Sequence, residues 1–359
     1  MKIKFVRLEN FRNAEFADVP LGSQNVWIRG RNAQGKSNLL EALGMLRAMR
    51  SFRTPDMSAL VRRGEKLARI FAGIEFESGG ECSVEISISD KRKAVVDGEE
   101  IKYSEFIGRF PALAMGSADI AVLRGSPEAR RRDCDIFISS IDRGYFESLK
   151  IYHGALAHRN ALLRAGAENP AEYTPFEAQM ARAAAEIYSA RKEKLGALGA
   201  AASEIYSVLA RENGEGAEIK IKPDCDADDE ASLLETLART RAKDIERKAT
   251  SRGPHRDDFK ILIGGADAKA YASEGQQRSA VIALKLAQFA EVKRAAQTAP
   301  AILCDDILGE LDAGRRAAFW ECVDPSSQII ATSTEPPPPD GVRGKWSVIE
   351  VENGKFRAL

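Results

Sequence analysis

Eight consecutive residues, Gly30-Arg31-Asn32-Ala33-Gln34-Gly35-Lys36-Ser37, match the pattern G-x-x-x-x-G-K-[ST]. Two glycines at that spacing let a loop wrap its backbone N–H groups around phosphate oxygens, with Arg31, Asn32, Ala33 and Gln34 supplying the amides between them. Lys36 then reaches the β- and γ-phosphates of ATP, and the Ser37 hydroxyl suits Mg2+, which takes hard oxygen ligands. A second set ends an apolar run, Ala301-Ile302-Leu303-Cys304-Asp305-Asp306. In a nucleotide-binding sheet the first acid, Asp305, holds the Mg2+ shell. The second, Asp306, orients or deprotonates the attacking water. Lys36 and Asp306 are thus the expected catalytic groups, and Ser37 and Asp305 the expected metal ligands.

A third set, Ser273-Glu274-Gly275-Gln276-Gln277-Arg278, precedes a long apolar-periodic segment. Ser273 is a good helix N-cap residue. The same geometry presents a hydroxyl, the Gly275 amide and the start at Gln276 to an anion. One chain needs only one such phosphate site. A second makes sense where two copies pair head to tail around ATP, each supplying Ser273, Gly275 and Gln276 to its partner's nucleotide.

These groups need a sheet to hold them. Val26, Trp27 and Ile28 form an apolar strand before the glycine loop, and Leu39, Leu40, Leu43 and Leu46 mark one face of a helix after it. Residues 69–110 alternate as strands, with a hairpin signal at Asp97-Gly98. From about residue 130 the texture turns helical and Ala-rich without strand signals, broken at Asn169-Pro170, with a further helix over 230–249. Strands resume at Phe259, Ile261 and Ile263, then come a helix from Gln276 to Arg294, strands at 301–304 and 329–331, and a hairpin at Asn353-Gly354. The order predicts an α/β fold: a composite head from residues 1–120 and 250–359, interrupted by a mainly helical lobe over 121–249.

Composition narrows the classes. The chain has 359 residues, 44% hydrophobic and 30% charged, as in globular proteins. Lys+Arg and Asp+Glu both number 53, which excludes a polybasic carpet, so any nucleic-acid surface must be a local patch. Five widely spaced cysteines and three histidines argue against a disulfide framework or a zinc site and fit a reducing cytoplasm. No stretch approaches the ~18 apolar residues of a membrane span.

Together and in this order the motifs resemble the ATP-binding-cassette heads of the SMC-like repair ATPases, and within them the RecF family of DNA replication and repair proteins. The likeness is carried by Leu8-Glu9-Asn10-Phe11-Arg12-Asn13, Gly35 to Ala42, Ser51-Phe52-Arg53-Thr54, Gly125-Ser126-Pro127 with Arg130-Arg131-Arg132, His158 to Leu163, Thr250 to Phe259, and Asp305-Asp306 with Glu310-Leu311-Asp312. The resemblance implies an ABC-type P-loop ATPase head. It implies an ATP-dependent homodimer that clamps single-stranded or gapped DNA and supports RecA loading with RecO and RecR, replication restart and the SOS response. Departures are mild: Arg31, Ser37, the looser Met115 to Ile120 stretch, and Gly309 where serine is usual. The helical lobe is too short for an SMC coiled-coil arm.

An aspartate at 306 is one methylene shorter than the glutamate of transporters, so slow, switch-like hydrolysis is expected, below the ~10 s⁻¹ enzyme median. Arg130, Arg131 and Arg132 are candidate DNA contacts, as is Arg53 within the Arg50, Arg53, Arg62, Arg63 cluster; alternatively the triple arginine pairs with nearby acids. His255 reads either as a surface-loop histidine or as a group near the nucleotide. Thr332 reads either as a strand-end threonine or as a γ-phosphate donor. The alternative function is the ATPase subunit of a membrane transporter. Asp306, Thr332 and the Leu8 to Asn13 opening all point away from it.

Overall fold

The structure is a computed structural model, and it describes residues 1–211, 218–224, 229–309, 311–339 and 343–359. Cys225 and Glu310 lie outside the described residues. Contacts divide the chain into two compact units, the first built chiefly from Met1–Asp119 and Lys285–Leu359.

The first unit opens with strands β1 (Lys2–Phe11), β2 (Ala14–Pro20) and β3 (Asn25–Arg29), then helix α1 (Lys36–Ala48). Strands β4 (Ala68–Glu75), β5 (Glu81–Ile88), β6 (Arg92–Val96) and β7 (Glu99–Ile101) follow, then the one-turn α2 (Tyr103–Phe106) and β8 (Ala112–Gly116). An antiparallel sheet runs β2-β1-β4-β5-β6-β7. Its strands alternate buried and exposed residues, as in β4, where Ala68, Ile70, Ala72 and Ile74 face the core. That is the pattern of a sheet covered on one face. Asp97 and Gly98, both at positive φ, close the β6–β7 hairpin where the sequence placed it.

The second unit occupies most of the chain between. Its helices are α3 (Ala121–Arg124), α4 (Pro127–Ser139), α5 (Arg143–Ala165) and the long α6 (Pro170–Leu209). Then come β9 (Ile219–Asp224), α7 (Glu230–Arg247), β10 (Asp258–Ile263), β11 (Ala266–Asp267) and α8 (Ala268–Tyr271). Helix starts carry side-chain caps: Ser126 accepts from the Ala129 amide with Pro127 at the first turn, and Asp229 forms a capping box with Ser232. Two expectations change here. The lobe does contain a strand: Ile219 and Ile221 lie on β9, which pairs antiparallel with β10. Its alternation is too short to stand out beside long helices. The return to the head falls at Lys285, within helix α9 (Glu274–Ala296), where the sequence suggested residue 250. The reason is backbone pairing, since β10 bonds to β9 and β11 in a separate three-stranded sheet.

The chain completes the first unit with β12 (Ala301–Asp305), α10 (Ala313–Cys322), β13 (Ile329–Ser333), β14 (Ser347–Glu352) and β15 (Lys355–Ala358). The central sheet runs β15-β14-β3-β13-β12-β8, parallel throughout except for the edge strand β15. Every residue of β13 and all but the last of β3 and β12 are buried. Continuous apolar runs of this kind belong to parallel strands covered on both faces. Gln328, itself buried, bonds to the backbone of Ile3, Leu21 and Ser23 and so satisfies loop amides and carbonyls inside the core. Among the described residues, no helix is long and apolar enough to cross a membrane.

Candidate functional site

In open parallel sheets, ligands gather beyond the carboxyl ends of the strands. Here Asp305 pairs with Thr332 and Gly116, and Thr332 pairs with Ile28. The ends of β3, β13 and β12 therefore stand side by side, carrying the glycine loop, Thr332 and Asp305.

The loop is shaped by backbone sterics. A Cβ on Gly30 would lie 2.6 Å from the Val351 carbonyl oxygen, so the loop passes β14 at a distance only glycine permits. Gly35 has φ +113°, a conformation costly for other residues, and it precedes the first turn of α1. No side chain caps that helix and no acid sits in its first turn. Its amides and the positive end of its dipole are left for an anion. Arg31, Asn32 and Ala33 are exposed. Gln34 braces the loop: its carbonyl accepts from Gly354 N–H at 2.9 Å and its side-chain oxygen from Asn353 N–H at 2.6 Å. Asn38 donates to Asn13 from the other side at 2.7 Å.

Lys36 is buried, and its Nζ donates to the Gly30 and Arg31 carbonyls at 2.8 and 3.3 Å. The ammonium is thus fixed over the loop, 4.0 Å from Asp306 Oδ2. Ser37 Oγ donates to Asp305 Oδ1 at 2.8 Å, so the two expected metal ligands already meet. One hydroxyl and one carboxylate, without a cluster of three His, Cys, Asp or Glu among the described residues, fit Mg2+. That ion keeps several waters and shares its shell with substrate phosphates.

Asp306 sits at φ +54°, in the left-handed region. Strain of this kind is worth about 1–3 kcal/mol and persists only where neighbours hold it. The holder is Thr332, 1% exposed: its Oγ1 accepts from the Asp306 amide at 3.0 Å and donates to Asp305 Oδ1 at 2.9 Å. The two closer bonds of the hydroxyl go to the two acids, and a longer one of 3.5 Å reaches the Cys304 carbonyl. The Asp306 carboxyl is half-buried. Burial raises its pKa, Lys36 pulls it back down, and Asp305 adds to the rise, so the net shift is upward. The arrangement places a lysine, an acid of raised proton affinity and a hydroxyl–carboxylate pair around the mouth of one phosphate loop.

Beside it, Glu41 of α1 is fully buried. Arg12 reaches it with two bonds of 2.9 and 2.7 Å, Ser51 donates to it, and Arg53 donates at 3.2 Å. Arg53 also bonds Asn38 at 2.9 Å. The Ser51-Phe52-Arg53-Thr54 stretch is therefore anchored to the helix that follows the loop. Arg53, expected at DNA, is committed to this cluster.

In the second unit, Ser273 Oγ accepts from Gln276 N–H at 3.2 Å and Gln276 Oε1 from Ser273 N–H at 2.8 Å, a reciprocal cap at the start of α9. Ser273 remains exposed, and Gln277 fixes the preceding turn through Ala268 O and Ala272 O. The triple arginine is partnered within the chain. Arg130, 9% exposed, clamps Asp258 with two 2.7 Å bonds, Arg131 donates to the Asp257 carbonyl, and Arg132 is likewise partnered. The expectation of DNA contact thus does not fit Arg130, because its charge is spent in a buried ion pair. Asp258, more than a hundred residues away, was the partner that sequence spacing could not supply.

The long Thr250 to Phe259 motif has the same purpose. Arg191 bonds Tyr145 and Asp135 at 2.9 and 2.8 Å and the Pro254 carbonyl at 3.1 Å. Arg159, fully buried, bonds Glu177, Asp244 and Thr250 at 3.0, 2.9 and 2.8 Å. His255 takes Tyr152 OH at 2.7 Å on Nδ1 and the Thr250 carbonyl at 3.2 Å on Nε2. Burial lowers its pKa to about 4. It is a neutral, doubly bonded packing histidine. In the first unit, Asp119 accepts from Gly116 N–H at 2.8 Å and pairs with Lys285 at 3.1 Å, which gives the loose Met115 to Ile120 stretch a structural task. Cys82, Cys134, Cys304 and Cys322 are free thiols.

Residues 2–355 match the family model "RecF/RecN/SMC N terminal domain". The chain is similar to the DNA replication and repair protein RecF of Leptospira interrogans serovar Lai, 34% identical over 343 residues, 93% of this chain and 92% of that one. It is similar to RecF of Myxococcus xanthus, 32% identical over 348 residues, 93% and 91% of the two chains. A solved structure of the recombination mediator protein RecF with ATP, described as part of the RecFOR pathway, superposes with a TM-score of 0.90 at 28% identity, covering 100% of this chain and 97% of that one. An Smc head domain from Pyrococcus furiosus gives 0.54 at 17% identity, covering 100% and 96%, and shares the fold.

Proposed function

The chain belongs to the RecF family, and from that membership we propose that it is an ATP-dependent DNA-binding protein of recombinational repair and replication restart. One observation carries the chemistry. The glycine loop, Ser37 with Asp305, and Lys36 beside Asp306 converge at the ends of three adjacent parallel strands. In this reading Gly30 to Ser37 bind the ATP phosphates, with Lys36 on the terminal ones. Ser37 and Asp305 hold Mg2+, which when bound neutralises developing phosphate charge. Asp306 positions the attacking water and accepts its proton. Its side chain, one methylene shorter than glutamate, supports slow hydrolysis that works as a switch.

Ser273, Gly275 and Gln276 act in trans on the ATP of a second copy, so that ATP pairs two heads into a clamp on single-stranded or gapped DNA and hydrolysis releases it. The cytoplasmic chain then supports RecA loading with RecO and RecR and the SOS response. The transporter-subunit alternative gains nothing from the site or from the family. Sedimentation of the chain with Mg-ATP, with and without a short gapped duplex, tests this. An ATP-dependent dimer that retains the duplex is expected. A chain that binds ATP yet stays monomeric and ignores DNA sinks the clamp.

A further inference from the structure

The Arg50, Arg53, Arg62, Arg63 cluster separates once the chain is folded. Arg53 goes to Glu41 and Arg62 to Glu15. Arg50 instead meets Arg92, which arrives from the start of β6. Arg92 donates to the Met49 carbonyl at 2.8 Å and lies 6.0 Å from the Tyr103 ring centre. Arg50 Nε lies 3.4 Å from the Tyr103 hydroxyl. Among the described residues neither arginine has a carboxylate partner.

Two guanidinium groups on one tyrosine, without an acid between them, repel each other, and only the Met49 carbonyl and Tyr103 act against this. The half-buried Arg92 is pushed toward deprotonation by burial first and by Arg50 second. The carbonyl end of a helix by itself disfavours anions. Here two carbonyls at that end are occupied, Arg47 O by Gly108 N–H at 2.9 Å and that of the C-cap residue Met49 by Arg92. What the surface presents is the surplus positive charge.

We propose that Arg50, Arg92 and Tyr103 form a contact for a backbone phosphate of DNA, an inference that rests on the DNA-binding reading above. An isolated phosphate gains little at an exposed charged pair. A polyanion gains through counterion release and its other contacts, which favours DNA over a free ion. The nucleotide is excluded as the occupant. The 13 residues of α1 separate this site from the phosphate loop by about 20 Å at 1.5 Å per residue.

The test is binding of a fluorescent gapped duplex by the full chain with Mg-ATP across a salt series. Loss of one phosphate contact lowers the slope of log K against log salt by about 0.9, which is about 8-fold weaker binding at 0.1 M salt. Arg50→Ala, at an exposed position, is expected to show that change with ATP affinity intact, and Arg92→Gln, which keeps a donor for Met49 O, to match it. Wild-type affinity and slope in both variants overturn the proposal while leaving the DNA reading standing. A wild-type chain that binds no duplex at any salt overturns both. Displacement of the duplex by inorganic phosphate at constant ionic strength, lost in Arg50→Ala, reassigns the site to a small anion.

Discussion

Thr332→Val exchanges a hydroxyl for a methyl of the same shape at a buried position, so it removes polarity and leaves volume. Two close bonds go with the hydroxyl, at 3.0 Å from the Asp306 amide and 2.9 Å to Asp305 Oδ1, with a 3.5 Å one to the Cys304 carbonyl. A buried amide deprived of its partner costs about 1–3 kcal/mol. With an unfolding entropy of roughly 2.1 cal/mol/K per residue over 359 residues, that lowers Tm by about 1–4 °C. The larger effect is on rate. Asp306 keeps its left-handed backbone because Thr332 holds it. Once released it relaxes, and a displacement of ~1 Å at a reacting group costs about 100-fold. That corresponds to about 2.7 kcal/mol of barrier at 1.36 kcal/mol per decade. Single-turnover hydrolysis at saturating ATP reads this directly, alongside ATP affinity, which should be unchanged because Thr332 does not touch the phosphate loop. Thr332→Ser keeps the hydroxyl and should recover most of the rate. Wild-type turnover in the valine variant, or a serine variant as slow as valine, refutes the tether.

Asp306→Asn should abolish hydrolysis while raising Tm at neutral pH. A carboxyl whose folded pKa is raised stabilises the fold only when protonated; that contribution is complete below its unfolded value near 3.8 and is lost as pH rises through the folded value. Asparagine mimics the protonated form and tolerates positive φ, so a lower Tm than wild type at pH 7 contradicts this. By the same sign, wild-type hydrolysis should fall on acidification with a midpoint above the ordinary aspartate range, read from a rate–pH profile. Arg159→Leu strands Asp244 in the interior and leaves Glu177 to Arg241 alone, and should cost about 3–5 kcal/mol, seen as a lower urea midpoint with ATP affinity unchanged in the folded fraction. A midpoint equal to wild type would show that the buried carboxylates are neutral or otherwise paired.

Much of the head was legible because its signals are local. A buried strand, a glycine loop and an amphipathic helix in succession leave few alternatives, and Asp305 and Asp306 fall where the strand runs out. The boundaries of α1, α7 and α9 came within a few residues, since periodicity and caps are properties of short windows. What stayed hidden depends on tertiary partners. Arg130 looks like surface charge until Asp258 is brought to it, and Thr332 looks like a strand end until β12 lies alongside. Glu41 sits on the side of α1 opposite its leucines, where a solvated acid is expected, and only Arg12, Ser51 and Arg53 explain its burial. The short β9 announces itself only through its pairing with β10.

The strand that delivers the phosphate loop, β3, has β13 and β14 as its neighbours, and in register Asn25 meets Ile329. These partners are translated about 300 residues after it. At roughly 5–20 residues per second, β3 leaves the ribosome about 15–60 s before either arrives. Through that interval an apolar strand stands without its ladder. The loop, a local motif in sequence, is among the last parts of the molecule to acquire a fixed shape. Synthesis itself thus delays nucleotide capture until the polypeptide has passed β14, and a nascent chain stalled before that point is an unpaired edge awaiting either a chaperone or another chain.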